Sequence, residues 1–174
     1  PDYPCTTNAQ HYLPVFQNRI KNRVLSQPNE VWVSDLTYVR TAEGFLYLAL
    51  VTDKYSRKIV GYHCGETLAA AGCVRALELA LAGLAAGERP MHHSDRGVQY
   101  ASELYQKALS QAKMICSMNR KGNCWDNAMT ESFFSTIKRE LIYPNGIFAM
   151  REEARSKIFT YIESWYNRFR KHSA

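Results

Sequence analysis

Residues 31–64 read VWVSDLTYVRTAEGFLYLALVTDKYSRKIVGYHC, and this stretch decides the expected fold. It holds three runs rich in β-branched and aromatic residues, which are typical of strands: Val31–Val39, Phe45–Thr52 and Lys58–Cys64. The links between them are too short for a crossover helix, so neighbouring strands must run in opposite directions. The sequence therefore predicts a three-stranded antiparallel meander.

Helix and strand patterns alternate after the meander. Apolar residues recur every three or four positions over Leu68–Ala86, which predicts a helix that ends at Gly87. A short strand is expected over Met91–Ser94, a helix over Ala101–Ala112 and another strand over Met114–Met118. We therefore predict an α/β protein of ribonuclease-H-like plan, with a five-stranded mixed sheet of three antiparallel and then parallel strands, flanked by helices.

The ends of the chain complete this organisation. Asp126 is placed to cap a helix over residues 127–141, and a last amphipathic helix is expected over residues 150–171. Residues 1–28 are polar, carry prolines and lack a sustained period, so they are interpreted as an N-terminal arm or linker. Residues 29–174 are then expected to form one core domain with its C-terminal helix.

Composition limits the class of protein. The 174 residues are 46% hydrophobic, enough for one core, and no apolar stretch reaches the roughly 18 residues of a membrane helix. The net charge of +6 and the pI near 9.1 favour a polyanionic partner without identifying one. Five cysteines without regular spacing indicate neither a disulfide framework nor a zinc cage, so a reducing cytoplasm fits best.

Asp35 is the acidic residue that the pattern makes most unusual. Strand alternation puts it on the same face as Val31, Val33 and Val39. A carboxylate among β-branched side chains needs a cation, a hydrogen-bond cluster or an edge position. A structural ion pair and a metal ligand both satisfy that need.

Two further acidic residues stand at positions that suit a site. Asp95 follows a short strand and precedes Gly97, at the strand carboxyl end where α/β sheets place ligand groups, although a turn aspartate would look the same. Glu131 lies on the helix whose apolar stripe includes Phe133 and Ile137, but it is off that stripe. A solvated helix face is the alternative interpretation.

A zinc site is a competing interpretation of His92 and His93 with Cys116 or Cys124. Adjacent strand residues face opposite ways, so the two imidazoles cannot easily share one ion. Spacing therefore argues against zinc.

Several blocks, in order along the chain, resemble one known catalytic core. They are WVSDLTY at 32–38, DKYSR at 53–57, IVG at 59–61, HHSDRGVQYAS at 92–102, SM at 117–118, KGNC at 121–124, Asp-Asn-Ala at 126–128 and ESFF at 131–134, followed by Lys138 and Glu140. These blocks resemble the insertion-sequence-three family of bacterial transposases, of the retroviral-integrase superfamily. The resemblance runs from about Asn29 to the C-terminus. It includes the family's spacing of thirty-five residues between the last two carboxylates, here Asp95 and Glu131.

The resemblance implies a chemistry. Asp35, Asp95 and Glu131 would be the catalytic aspartate, aspartate and glutamate of a DDE-type transposase that cuts DNA and joins it by 3′-hydroxyl attack on a phosphodiester. Two Mg²⁺ ions, with Mn²⁺ as a substitute, would be held by these three carboxylates. Asp53 falls inside a matched block outside the catalytic positions and is predicted to pair with Arg57.

The resemblance also implies partners. Family members act on transposon ends and target DNA as homo-oligomers in the bacterial cytoplasm, at the nucleoid, and carry an upstream helix-turn-helix region that this chain lacks. The residues expected to meet DNA are Asn127, Lys138, Lys121, Arg120 and Arg96, each of which could equally be an ordinary surface residue. Tyr100 and Trp125 are candidates for stacking on an unpaired base. A hydrolytic nuclease, or a DNA-binding domain that has lost catalysis, remains the alternative function.

Overall fold

A mixed sheet of five strands in the order β3-β2-β1-β4-β5 forms the centre of the protein. It is seen in a computed structural model that describes residues 11–119 and 128–169, with the backbone alone for 128–131. The strands are β1 (Val31–Thr41), β2 (Gly44–Asp53), β3 (Ile59–Gly65), β4 (Met91–Ser94) and β5 (Cys116–Met118). The first three are antiparallel, while β4 and β5 run parallel to β1. The predicted meander and ribonuclease-H-like sheet are confirmed.

Helices lie on both faces of this sheet. They are α1 (Ala70–Ala82), α2 (Val98–Ala101), α3 (Glu103–Gln111), α4 (Ala128–Ile137), α5 (Tyr143–Asn145), α6 (Arg151–Thr160) and α7 (Asn167–Phe169). Ser102 caps α3 by accepting the Tyr105 backbone N–H at 3.3 Å. No helix among the described residues is long and apolar enough to cross a membrane.

Two helical segments depart from the predicted α-helices. The helix expected over residues 127–141 is α-helical to Ile137 and continues as a π-helix over Lys138–Ile142, and α6 is followed by another π-helix over Tyr161–Tyr166. In the first, the Tyr143 N–H reaches back to the Lys138 carbonyl. The following Pro144 has no N–H with which to continue an α-helical ladder.

Strand alternation divides the core into two layers. On one face, Trp32 and Leu36 are buried with side chains of α1 and α3 such as Leu77 and Leu109. A close approach joins β3 to α1, because a Cβ at Gly61 would lie 2.2 Å from a helix carbonyl. Only glycine permits that spacing.

The second face is covered by α4, α6 and the π-helix after α6. Val39 and Leu48 pack there against Phe133, Ile137 and Ile158. Phe133 and Ile137 belong to the apolar stripe that the sequence predicted, and both are buried. By alternation Asp35 points toward this same face, beneath α4.

The arm has no helix or strand over its described residues, yet it packs on the core. Ile20 is buried beside Val31 and Val33, while Leu13 and Phe16 pack against the first face. The division of the chain at residue 28 stays a prediction.

Candidate active site

Two aspartates emerge side by side from neighbouring parallel strands. The pairing of β1 with β4 ends with Ser34 opposite Ser94. Asp35 and Asp95 are the next residue on each path, and paired strands lie about 4.8 Å apart. The fold thus brings together two carboxylates that are far apart in sequence, at the carboxyl end of β4, where α/β sheets bind ligands.

Asp35 occupies a position where the sheet opens. It faces Leu50 of β2 on one side, whereas the ladder to β4 has already ended on the other. The side chain is half-buried, and its Oδ1 accepts the Leu36 backbone N–H at 2.8 Å. The carboxylate therefore lies just beyond the end of the β1–β4 pairing and is only partly enclosed.

The loop after β4 orients Asp95. Asp95 Oδ1 accepts the Gly97 N–H at 2.8 Å, and a Cβ built on Gly97 would lie 2.9 Å from that same oxygen. Gly97 has an ordinary φ of −60°, so the absence of a side chain matters here for the space beside the carboxylate and not for backbone conformation. The sequence singled out Gly97 only as a turn residue and did not show its contact with the carboxylate.

A buried hydrogen-bond network lies beneath the aspartates. His92 Nε2 is 2.8 Å from Ser34 Oγ and 2.8 Å from the Tyr105 hydroxyl. Burial lowers the pKa of His92 to about 3, and the neighbouring His93 contributes to the shift. The imidazole is therefore neutral near pH 7 and adds no positive charge below the carboxylates.

Tyr100 and Cys73 lie near Asp35 and Asp95, whose charges act on both of them. Burial raises the pKa of Tyr100 well above its usual value and that of Cys73 to about 12, and the negative charges of Asp35 and Asp95 contribute to both shifts. Both groups therefore stay neutral beside the aspartates. Tyr100 is only 2% exposed, so the prediction that it stacks on an unpaired base is wrong.

The two histidines have separate partners. His93 Nδ1 lies 2.9 Å from Ser117 Oγ and its Nε2 lies 2.7 Å from Asn119 Oδ1, whereas His92 faces Ser34 and Tyr105. Their rings thus point to opposite sides of β4, as strand alternation predicted. Among the residues whose side chains are described, no group of three His, Cys, Asp or Glu is placed to hold a metal, and Glu131 is outside that set.

Arg96 fastens the loop after Asp95. Its Nε donates to the Asn119 carbonyl at 2.6 Å, and its own carbonyl accepts from His11 Nε2 at 2.8 Å. These contacts tie the loop to the end of β5 and to the arm. A role of Arg96 in DNA contact stays a prediction.

Helix α4, which contains Glu131, lies over the second face of the sheet. Glu131 lies in its first half, and Lys138 follows its last turn with Nζ 5.6 Å from the centre of the Tyr38 ring. The predicted DNA contacts Arg120, Lys121 and Asn127 lie outside the described residues, as does Trp125.

Asp53 does not form the predicted pair with Arg57. Its carboxylate instead accepts the backbone N–H groups of Asn29 at 2.9 Å and Ser56 at 2.7 Å, and the Ser56 hydroxyl. The hydrogen bond between the two residues runs instead from the Arg57 backbone N–H to the Asp53 carbonyl, at 2.9 Å. These three donors already hydrogen-bond the buried carboxylate. Asp53 therefore has a structural role, as expected, but with partners other than the Arg57 side chain.

Comparison with known families gives two matches along the chain. Residues 26–124 match the family described as "Integrase core domain", and residues 112–174 match a second family of the same description.

Comparison with curated proteins gives bacterial relatives. The chain is 45% identical over 172 residues to "Insertion element IS600 uncharacterized 31 kDa protein" of Shigella sonnei, which covers 98% of this chain and 63% of that protein. It is 42% identical over 164 residues to "Transposase InsF for insertion sequence IS3A" of Escherichia coli (strain K12), which covers 94% of this chain and 57% of that protein. The chain thus spans about three-fifths of the curated relatives it matches.

Solved structures share the fold at low sequence identity. One is a simian T-cell lymphotropic virus intasome in complex with PP2A regulatory subunit B56 gamma, with TM-score 0.68, 19% identity and coverage of 97% of this chain and 57% of that chain. Another is the trimeric form of the HTLV-2 integrase catalytic core domain in complex with magnesium, with TM-score 0.58, 18% identity and coverage of 76% and 84%.

Proposed function

Because the chain belongs to the integrase core domain family, we propose that it is the catalytic core of a DNA transposase. In this proposal the core cleaves DNA and joins a 3′-hydroxyl end to another phosphodiester, with divalent metal ions as cofactors. The observation that carries the proposal is the side-by-side position of Asp35 and Asp95 at the carboxyl end of β4.

Glu131 is the proposed third ligand, and the contact between Lys138 and Tyr38 supports it. Glu131 precedes Lys138 by seven residues, about 10 Å along a helix, and Asp35 precedes Tyr38 by three, about 10 Å along a strand. Because the residues after Lys138 line a cleft with the residues after Tyr38, helix and strand advance in the same direction. Equal steps back along helix and strand support the proposal that Glu131 lies near Asp35.

The donor set suits Mg²⁺, with Mn²⁺ as its substitute. Carboxylate oxygens are hard ligands, and the groups beneath them are neutral, so nothing there competes with a cation. Asp35, Asp95 and Glu131 would together hold two such ions. Once bound, such ions neutralise charge that develops on a phosphoryl group undergoing in-line displacement. The magnesium named in the HTLV-2 integrase core structure supports the same choice.

The chain's own residues then hold and orient the reacting strands. The Gly97 N–H fixes one Asp95 oxygen, so the carboxylate is oriented before substrate arrives. The proposed DNA contacts are Arg96, Arg120, Lys121, Asn127 and Lys138, and the net charge of +6 favours phosphate binding. We further propose that the active form is a homo-oligomer on DNA in the bacterial cytoplasm, at the nucleoid, joined to an upstream helix-turn-helix region.

The test of the site uses near-isosteric variants in the full-length transposase: Asp35→Asn, Asp95→Asn and Glu131→Gln. Each should abolish joining of labelled oligonucleotides in Mg²⁺ or Mn²⁺ while DNA binding persists, because each removes a metal ligand with little change in volume. Asp53→Asn is a matched carboxylate change outside the site and should leave the metal dependence unaltered. Any of the three variants with near-wild-type joining would remove that residue from the site.

A hydrolytic nuclease is the alternative outcome of the same assay. Two metal ions can activate either water or a DNA hydroxyl, so the products decide between the functions. Joined strands longer than the substrate support a transposase. Shortened strands alone, across several DNA ends and salt concentrations, would show that the core only hydrolyses DNA.

A further inference from the structure

A cleft of about 550 Å³ opens beside the proposed active site, between the second half of β1 and the chain from Lys138 to Ile147. Its lining residues are Tyr38, Val39, Arg40, Lys138, Ile142, Tyr143, Gly146 and Ile147. We propose that this cleft binds an unpaired nucleotide of the DNA strand a few positions from the phosphate that reacts. This inference rests on the proposed function.

The charge of the cleft favours a polyanion. Its lining includes Arg40 and Lys138 and no carboxylate, whereas two other clefts of similar size are both lined by Glu163. Neither Arg40 nor Lys138 forms an ion pair with a carboxylate in the described part of the chain. Both cations are therefore available for phosphates.

The apolar part of the cleft suits a base. Tyr143 is 70% exposed and Ile147 is 58% exposed, although both border a concave surface. Exposed aromatic and aliphatic groups in a basic cleft match the surfaces on which unpaired bases stack. A volume of about 550 Å³ is ample for one nucleotide.

The cleft wall is built in place and does not need to form on binding. The π-helix stacks Tyr143 one turn after Lys138, since the Tyr143 N–H donates to the Lys138 carbonyl. Gly146, with φ of +69°, then turns the chain so that Phe148 pairs with Thr41 at the end of β1. The backbone positions of Lys138 and Tyr143 are thereby fixed at one corner of the cleft.

The distance from the proposed site sets the position on DNA. Tyr38 and Arg40 lie three and five residues beyond Asp35 on one strand, about 10 and 17 Å away. Stacked nucleotides advance 3.4 Å per step, so the cleft would meet about the third to fifth nucleotide from the reacting phosphate. Base stacking there requires an end that is frayed or single-stranded.

Photocrosslinking tests the position directly. A DNA end carrying 5-iodouracil at one of positions 1–10 is irradiated with the full-length protein, and the crosslinked residue is identified by mass spectrometry. We expect crosslinks to Tyr143 that are strongest at about positions three to five and absent in Tyr143→Ala. A crosslink yield that does not depend on the position of the label, or that is unchanged in Tyr143→Ala, would overturn the proposal.

Salt titrations separate the two parts of the cleft. Arg40→Ala should reduce the slope of log K against log salt for a single-stranded end by about 0.7, because one phosphate contact is lost. Tyr143→Ala should keep that slope and weaken binding of a single-stranded end about 5- to 150-fold, with Tyr143→Phe near wild type. Arg139→Ala is the matched control, since Arg139 is exposed, outside the cleft and beside Glu140 at 3.6 Å. Equal effects of Arg139→Ala and Arg40→Ala would overturn the proposal.

The outcomes also separate this inference from the proposed function. Asp35→Asn should lose joining but keep the Tyr143 crosslink, because it leaves the cleft intact. A wild-type protein that crosslinks but never joins DNA would refute the proposed transposase function and support nucleotide binding in the cleft. A protein that joins DNA with no crosslink in the cleft would refute nucleotide binding in the cleft alone. A change of oligomeric state in Tyr143→Ala, with unchanged DNA binding, would instead overturn it by assigning this surface to contact between protein chains.

Discussion

Gly97→Ala probes whether the orientation of Asp95 matters for catalysis. The new Cβ would lie 2.9 Å from Asp95 Oδ1, whereas ordinary contact begins at 3.4 Å, so the carboxylate must move by about 0.5 Å. A misplacement of about 1 Å can cost 100-fold in rate. We therefore expect DNA joining to slow about 10- to 100-fold, equivalent to about 1.4 to 2.7 kcal/mol of transition-state stabilisation.

Stability should change little in the same variant. The φ of −60° and ψ of 143° at Gly97 suit alanine, and a Gly→Ala change at a compatible position contributes only about 0.4 to 1 kcal/mol. The melting temperature should therefore stay within about 4 °C of wild type. Gly83→Ala is the matched control, because its Cβ would meet only an ordinary contact at 3.7 Å, away from the site. Joining by Gly97→Ala within twofold of Gly83→Ala would show that the contact between Gly97 and Asp95 does not matter for catalysis.

Two further predictions concern the fold. Gly61→Ala should destabilise the protein by about 1 to 3 kcal/mol in urea unfolding, since its Cβ would lie 2.2 Å from the Ala76 carbonyl oxygen; a stability equal to wild type would contradict the tight β3–α1 packing. Stability should also fall as pH decreases from about 6.5 toward 3, because the pKa of His92 is about 3 when folded and near 6.5 when unfolded, so the unfolded chain binds the extra proton. The contribution reaches about 1.4 kcal/mol per pH unit, and His92→Gln should show a shallower pH dependence in the same urea assay; an identical slope would exclude His92 as its source.

The sequence predicted the sheet because local patterns carry that information. The alternation over Val31–Val39 and the short links after it allow only an antiparallel meander, and the structure has it. The side-by-side position of Asp35 and Asp95 was accessible only through the fold, since no local pattern states which strands pair. The role of Glu131 still depends on the family resemblance and stays a prediction.

Other features depend on long-range contacts that periodicity does not encode. The burial of Tyr100 follows from packing against Tyr105 and His92, so an aromatic residue near the site proved to be core and not a stacking surface. The π-helix after Ile137 keeps an apolar spacing close to that of an α-helix, so its wider turn is invisible in the sequence. The sequence contains no signal for Arg40, because an arginine on a strand is common and the cleft beside it exists only in the fold.

The arm is connected by a hydrogen bond to the loop that follows Asp95. His11 holds the carbonyl of Arg96, the residue directly after Asp95, and the Arg19 N–H is held by Ser117 Oγ at 2.9 Å. Tension applied to the arm would therefore act within one residue of a proposed metal ligand before it reached the hydrophobic core. In an assembly, a displacement of the arm by a neighbouring chain would therefore change the geometry of Asp95 directly, through the hydrogen bond between His11 and Arg96.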